Sequence, residues 1–295
     1  MRTPAFALVF AALVLNVARA AQTPEDAWRQ AITQENTDYG QGPHAMLKIQ
    51  DSAYLAEGQS AELLGRIGEP DSWHWSRTSE APGTLSISVK DGRLAILSRG
   101  EPVDPGQIAR SVPVDEDVDV TGQPTQVAAG VTGWRLFVFN QQHPAAKGFT
   151  GVAYFPYDPA FRVTAQFRPD PTLPPRVFRT SRGTDKQFYH AGDAVFALAG
   201  KPITLPFYTG GNDPEQIKDI SAFFTDALTG GGAYGAGRYL DVVGFAEFPP
   251  TTVTIDFNFA YNPNCARSSH FTCPIAVDSI DLPVIAGERD PHAAD

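Results

Sequence analysis

Leu85-Ser86-Ile87-Ser88-Val89-Lys90-Asp91-Gly92-Arg93-Leu94-Ala95-Ile96-Leu97 is the stretch whose reading decides the fold class. Leu85, Ile87 and Val89 alternate with small or polar residues, which is the period of a strand with one buried face. Asp91-Gly92 supplies a tight turn, and Leu94-Ala95-Ile96-Leu97 runs back, so the segment reads as a β-hairpin. The same signature recurs outward along the chain. Strands are expected at 134–139, at 162–167, and at 195–198 with a turn at Gly200-Lys201-Pro202 before Ile203-Thr204-Leu205. Val253-Thr254-Ile255-Asp256-Phe257-Asn258-Phe259 alternates throughout, and Leu282-Pro283-Val284-Ile285 closes the series. With 26 Gly and 25 Pro marking frequent turns, the chain is mainly β, an antiparallel β-sandwich or a partly open barrel.

One helix is expected, over 24–36. Thr23 can cap it, Pro24 suits its first position, and Glu25 and Asp26 complement the dipole. Ahead of it, Arg2, the apolar run from Ala5 to Val17 and Ala18-Arg19-Ala20 have the form of a cleavable export signal, residues 1–20. The run is too short to span a bilayer, for which about 20 apolar residues are needed. The protein is therefore expected to be exported, periplasmic or secreted, with no membrane span after cleavage. Two further divisions are expected: residues 21–130, the helix with a small β subdomain, and 131–295, a C-terminal β domain. The net charge of −10 argues against nucleic-acid partners and against adhesion to anionic membranes.

Between Phe223 and Cys273 the composition changes. Gly230-Gly231-Gly232-Ala233-Tyr234-Gly235-Ala236-Gly237-Arg238-Tyr239-Leu240 packs glycines around a Tyr and an Arg, fit for a tight turn or for close approach to a ligand. It is not a nucleotide loop, because no Lys-Ser/Thr follows and a strand comes next. Strand alternation would place Asp256 and Asn258 on one face, where they could hold a cation, orient a sugar, or bind loop backbone. Cys265 and Cys273, the two cysteines of the chain, are expected to form a disulfide. A zinc site with His270 would lack a clear fourth ligand, so no metal and no cofactor is expected. Elsewhere the signals are weaker. Asp115-Glu116-Asp117 with Asp119 reads as solvated surface before cation site, His190 as a turn residue before a base, and Trp73 with Trp75 as core before a sugar platform. Common hydrolase signatures are absent.

Tyr234-Gly235-Ala236-Gly237-Arg238-Tyr239-Leu240, Ile255-Asp256-Phe257-Asn258 with Ala260-Tyr261-Asn262-Pro263, Cys265, Cys273-Pro274 and Ala286-Gly287-Glu288, in that order, resemble the C-terminal signature of a bacterial and archaeal domain family of unknown function. Fainter likenesses extend upstream, at Phe155-Pro156, Arg162-Val163-Thr164-Ala165 and Tyr54-Leu55-Ala56-Glu57-Gly58. The chain departs from that pattern at Ala227-Leu228-Thr229-Gly230, at Asn264, and at Ser279-Ile280-Asp281. The resemblance implies no particular activity. From the residues, the favoured reading is a binding module for a small polar or carbohydrate ligand, held by Tyr234, Arg238, Asp256, Asn258, Tyr261 and Asn262. Two other readings stand beside it: an envelope scaffold or interaction protein, and a hydrolase or lyase using Asp256 or Glu288 as base beside Arg238 or His190.

Overall fold

The computed structural model describes residues 22–78 and 82–292; the export signal read over residues 1–20 lies outside them. Helix α1 (Pro24–Asn36) starts where its capping box dictates. Thr23 Oγ1 accepts from Asp26 N–H at 3.1 Å, and the Asp26 carboxylate accepts from Thr23 N–H at 3.3 Å. The helix runs on into a wider π-type turn at Thr37–Gln41. Its one buried side chain within α1 is Trp28.

The chain then forms a two-sheet sandwich. Its strands are β1 (Ile49–Leu55), β2 (Ser60–Arg66), β3 (Glu69–Ser76), β4 (Leu85–Lys90), β5 (Arg93–Ser98), β6 (Glu101–Val103), β7 (Val112–Pro113), β8 (Val118–Ala128) and β9 (Val131–Asn140). One sheet has the order β3-β2-β4-β5-β6, the other β1-β9-β8-β7. The inward residues of both, among them Leu55, Leu63, Trp73, Ile87, Val120 and Leu136, make one core. The β4–β5 hairpin turns where the sequence predicts, with Asp91 and Gly92 both at positive φ and Lys90 opposite Arg93. Trp73 is fully buried in this core and Trp75 packs on its edge, which removes them as a sugar platform.

After a single helical turn α2 (Pro144–Lys147) comes the larger sheet, from β10 (Arg162–Pro169), β11 (Pro175–Arg179), β12 (Asp185–Leu198), β13 (Lys201–Thr209), β14 (Asp219–Asp226), β15 (Arg238–Val243), β16 (Thr252–Asp256) and β17 (Asp278–Ile280). Its path is β15-β14-β13-β12-β10-β16, with β11 beside β12 and β17 parallel to β14. A bridge between Tyr239 and Tyr261 draws the two ends together, so the sheet is nearly a closed barrel around Phe207, Phe224, Ile255 and Phe257. An aromatic cluster joins the two β units: Phe137 and Phe139 from the first meet Phe178, Tyr208, Phe223 and Phe271 from the second. Tyr39 and Met46, from the segment after α1, belong to the same cluster.

Four details differ from the sequence reading. The division expected at 130/131 falls inside a sheet, because β9 is hydrogen-bonded to both β8 and β1. The hairpin expected around Gly200 turns one residue earlier, on Ala199 and Gly200, both at positive φ. The strand expected over 253–259 stops at Asp256, whose carboxylate accepts from Asn258 N–H and winds Phe257–Phe259 into a 3-10 turn. Residues 282–285 pair with no strand; Pro283 lacks the N–H that a ladder requires, and the strand of that region is the short β17 upstream.

Candidate functional site

The residues singled out in the sequence divide into three neighbourhoods. Arg238, at the start of β15, is 1% exposed and lies inside the barrel. It donates to the Asp226 carboxylate and to the carbonyls of Val284, at 2.9 Å, and Ala286. Gly237 precedes it at φ +88, where a Cβ would stand 2.4 Å from Ala276 Cβ and 2.7 Å from the Phe224 carbonyl. Only glycine fits there, so this part of the glycine-rich loop serves to deliver Arg238 to a buried ion pair. Arg238 therefore holds together β14, β15 and the 284–288 segment, and its fork has no free edge for a ligand.

Asp256 and Asn258 do not share an open strand face. Asn258 is 1% exposed; its amide donates to the Asp158 carbonyl at 2.9 Å and to Asp256 Oδ1 at 2.8 Å, and its Oδ1 accepts from Asp158 N–H at 3.0 Å. That pattern clamps the turn ahead of β10. Asp256 also faces Arg162 at 3.5 Å. Among the described residues no group of three metal-ligating side chains occurs. The acidic loop is likewise occupied: Asp119 accepts from Ser111 Oγ and lies 2.6 Å from His44 Nε2, and Asp115 accepts from Gly68 N–H. His190 is held between Asp170 and Asp193, at 3.2 and 3.1 Å.

Glu288 and Asn262 form the second neighbourhood, which sequence spacing did not reveal to include Arg267. Glu288 is fully buried, accepts from Asn262 N–H at 2.6 Å and pairs with the Arg267 guanidinium. Burial pushes its pKa up to about 7, with Arg267 and the Asn262 N–H opposing. Gly287, at φ +79, lets the chain pass 2.5 Å, measured from a notional Cβ, from the Ala260 carbonyl and so sets Glu288 in place. Arg267 also lies over the Tyr39 ring, 5.3 Å from its centroid.

The third neighbourhood contains Tyr234 and the cysteines. The expected disulfide is not formed: Cys265 and Cys273 are free thiols. Cys265 N–H donates to Cys273 Sγ at 3.3 Å. The neighbouring Cys273 lowers the pKa of Cys265, and Cys265 together with burial raises that of Cys273. Burial first and the charge of nearby Cys265 second push the pKa of the Tyr234 hydroxyl up to about 12.

An open cleft exists where none of these residues alone predicts it. Helix α1 lies across the 258–264 turn, fixed by Trp28 Nε1 donating to the Asn258 carbonyl at 2.8 Å. Beside that bond is a cavity of about 490 Å³ walled by Trp28, Tyr39, Tyr154, Phe259 and Tyr261, with Gln34, Glu35, Asp38, Asn258 and Asn264 contributing polar groups. Tyr261 donates to Asp241 at 2.9 Å, which fixes its ring at the cleft edge. Tyr154 donates to Glu35, and burial raises the pKa of Glu35 against the pull of that bond. The ring of Tyr39 separates the cleft from Arg267 and Glu288. Of the six sequence candidates, Asn258 and Tyr261 therefore reach the cleft, while Tyr234, Arg238, Asp256 and Asn262 do not line it. Trp28 and Glu35 were missed; the helix signal placed them on α1, but nothing in the sequence joins that helix to a turn more than 200 residues away.

Fold and cleft together define a mainly β protein of two joined sheet units, with an aromatic, acid-edged cleft under an N-terminal helix. A domain described as "Protein of unknown function (DUF1684)" is found over residues 147–289, which takes in the barrel, Glu288 and the cysteine pair. No curated protein matches the chain. Among solved structures, it is similar to the solution NMR structure of an uncharacterized protein of Haloarcula marismortui, at 29% identity over 49% of this chain and 79% of that one, with a TM-score of 0.41.

Proposed function

We propose that the protein is an exported binding module whose ligand, a small hydroxyl-bearing molecule of the carbohydrate class, occupies the cleft between α1 and the 258–264 turn. The observation that carries this reading is the lining itself. A cavity of about 490 Å³ is walled by aromatic rings and edged by the carboxylates of Glu35 and Asp38 and the carboxamides of Gln34 and Asn264. Its size falls in the ordinary small-ligand range of roughly 300–1,000 Å³. Aromatic faces cover the apolar C–H surface of a sugar ring, while carboxylates and amides take up its hydroxyls. Asp256, Arg238 and Asn262 serve the fold around this cleft. Export rests on residues 1–20 and brings such a ligand from the cell exterior or envelope.

Calorimetric titration of the mature chain with a panel of mono- and disaccharides tests the reading. Binding that is lost in Ala31→Trp, which fills the cleft without removing a hydrogen-bonding group, supports it. Affinity unchanged by that substitution, or no binding across the panel, refutes it.

A second reading is favoured by one observation: Glu35 lines the cleft, is partly withdrawn from water, and is bonded to a tyrosine hydroxyl. A carboxyl group with a raised pKa is suited to general acid–base chemistry. Turnover of a bound sugar that disappears in Glu35→Gln while binding persists would establish that role. Glu288 and Asp256, by contrast, are committed to Arg267 and to the Asn258 turn.

A further inference from the structure

A second cavity, of about 310 Å³, lies between the two β units, remote in the sequence from the cleft under α1. From β1 it receives Asp51, Ser52 and Tyr54; from the end of β3, Trp75 and then Arg77; from the turn joining β11 to β12, Arg182 and Thr184. Its polar lining joins two arginines and an indole N–H to hydroxyls and one carboxylate. Arg182 gives only long contacts from one nitrogen, 3.3 Å to Ser52 Oγ and 3.3 Å to the Ser269 carbonyl, while its guanidinium stacks on Tyr54 with Cζ 5.4 Å from the ring centroid. Among the described residues Arg77 makes one hydrogen bond, 3.4 Å to the Tyr54 carbonyl. Among the described residues neither arginine pairs with a carboxylate.

Two further observations point the same way. The Trp75 indole N–H is buried and has no acceptor among the described residues. Asp51, the one carboxylate in the lining among the described residues, is already occupied: its two oxygens accept from Ser52 N–H at 2.7 Å and Trp75 N–H at 2.6 Å. The cavity thus offers two guanidinium forks and an indole N–H, with the Asp51 carboxylate bonded to backbone N–H groups. Guanidinium forks match the paired oxygens of carboxylates and phosphates, and the charge-assisted bonds they form are among the strongest available to a side chain. Tyr54, Ala53 and Val127 add an apolar floor.

We infer that this inter-unit cavity is an anion site for a compact organic oxyanion, a carboxylate or phosphate group carried on a small body, gripped by Arg77 and Arg182 and reported by the Trp75 indole. The site does not depend on the sugar cleft, and the two stand or fall separately.

The test is a titration of the full mature chain at low ionic strength, followed through the Trp75 indole N–H resonance in nitrogen-15 NMR. The probes are inorganic phosphate, succinate, and neutral succinamide. The expected result is a saturable shift of the Trp75 signal with phosphate, succinate or both, the stronger naming the head group, and none with succinamide. Arg182→Ala weakens that binding by about tenfold or more, and Arg77→Ala/Arg182→Ala abolishes it. A Trp75 signal that ignores both anions, responds equally to succinamide, or shifts unchanged in the double variant overturns the inference.

Discussion

The Tyr154 hydroxyl donates its proton to the Glu35 carboxylate, tying helix α1 to the segment ahead of the barrel at the wall of the cleft. Burial raises the pKa of Glu35 and this bond offsets part of the rise. Tyr154→Phe removes that offset and leaves Arg267 as the opposing influence, so Glu35 titrates higher than in the wild type, and the fold loses about 1–2 kcal/mol. Carbon-13 NMR of the Glu35 carboxyl measures the first effect and urea unfolding the second. A Glu35 pKa that stays put or falls breaks the link.

Arg238 and Asp226 form an ion pair with almost no solvent contact. Arg238→Met leaves the Asp226 charge and the Val284 and Ala286 carbonyls without their donor. The expected cost is about 3–5 kcal/mol, and adding Asp226→Asn recovers part of it because the stranded charge is gone. Chemical denaturation of both variants checks this; a loss below about 1 kcal/mol in Arg238→Met contradicts the role given to that residue.

Glu288 carries a pH dependence. Its ordinary pKa of 4.5 rises to about 7 on burial, so the native state keeps a proton that the unfolded chain releases. The associated stability is present in full below the ordinary value and is lost as pH rises through about 7. Glu35 and Asp278 shift in the same direction, while His270, lowered by burial, opposes them within that window. Between about pH 5 and pH 8 the wild type should lose on the order of 2 kcal/mol relative to Glu288→Gln, which has no proton to release. Stability curves that run parallel for the two proteins across that range would remove Glu288 as the cause.

The thiol pair predicts an ordered reactivity. Cys265 is partly exposed and its pKa is lowered, whereas Cys273 is buried with its pKa raised. A thiol reagent should modify Cys265 first, and Cys273 only on unfolding. Cys273→Ser, which replaces the neighbouring sulfur that lowers the Cys265 pKa, should slow modification of Cys265 by several-fold. Equal rates for the two cysteines in the native protein would contradict this order.

Much of the architecture is written in local patterns. Thr23, Pro24 and Asp26 mark the helix start, and Asp91-Gly92 with its flanking alternation marks the hairpin, because caps and turns are set by neighbours in the chain. Asp256 shows where that logic stops. Period-two alternation continues past it, yet its carboxylate captures Asn258 N–H and ends the strand, a competition between side chain and ladder that alternation alone does not weigh. The polar cluster was found by composition but not its partition: Arg238 and Asn258 are consumed by buried hydrogen bonds. The cleft was invisible for a different reason. Trp28 meets Asn258, and Arg267 meets Glu288, through tertiary contacts that leave no mark on spacing.

The most direct test of the central claim maps where a sugar touches the protein. Nitrogen-15 and methyl NMR, with a saccharide identified by calorimetry, should show saturable shifts at the Trp28 indole, Ala31, Ile32 and the amides of 258–264, all at the cleft. Shifts that gather instead around Tyr234 and Arg238, or none at a saturating concentration, would contradict the assignment of the cleft as the ligand site.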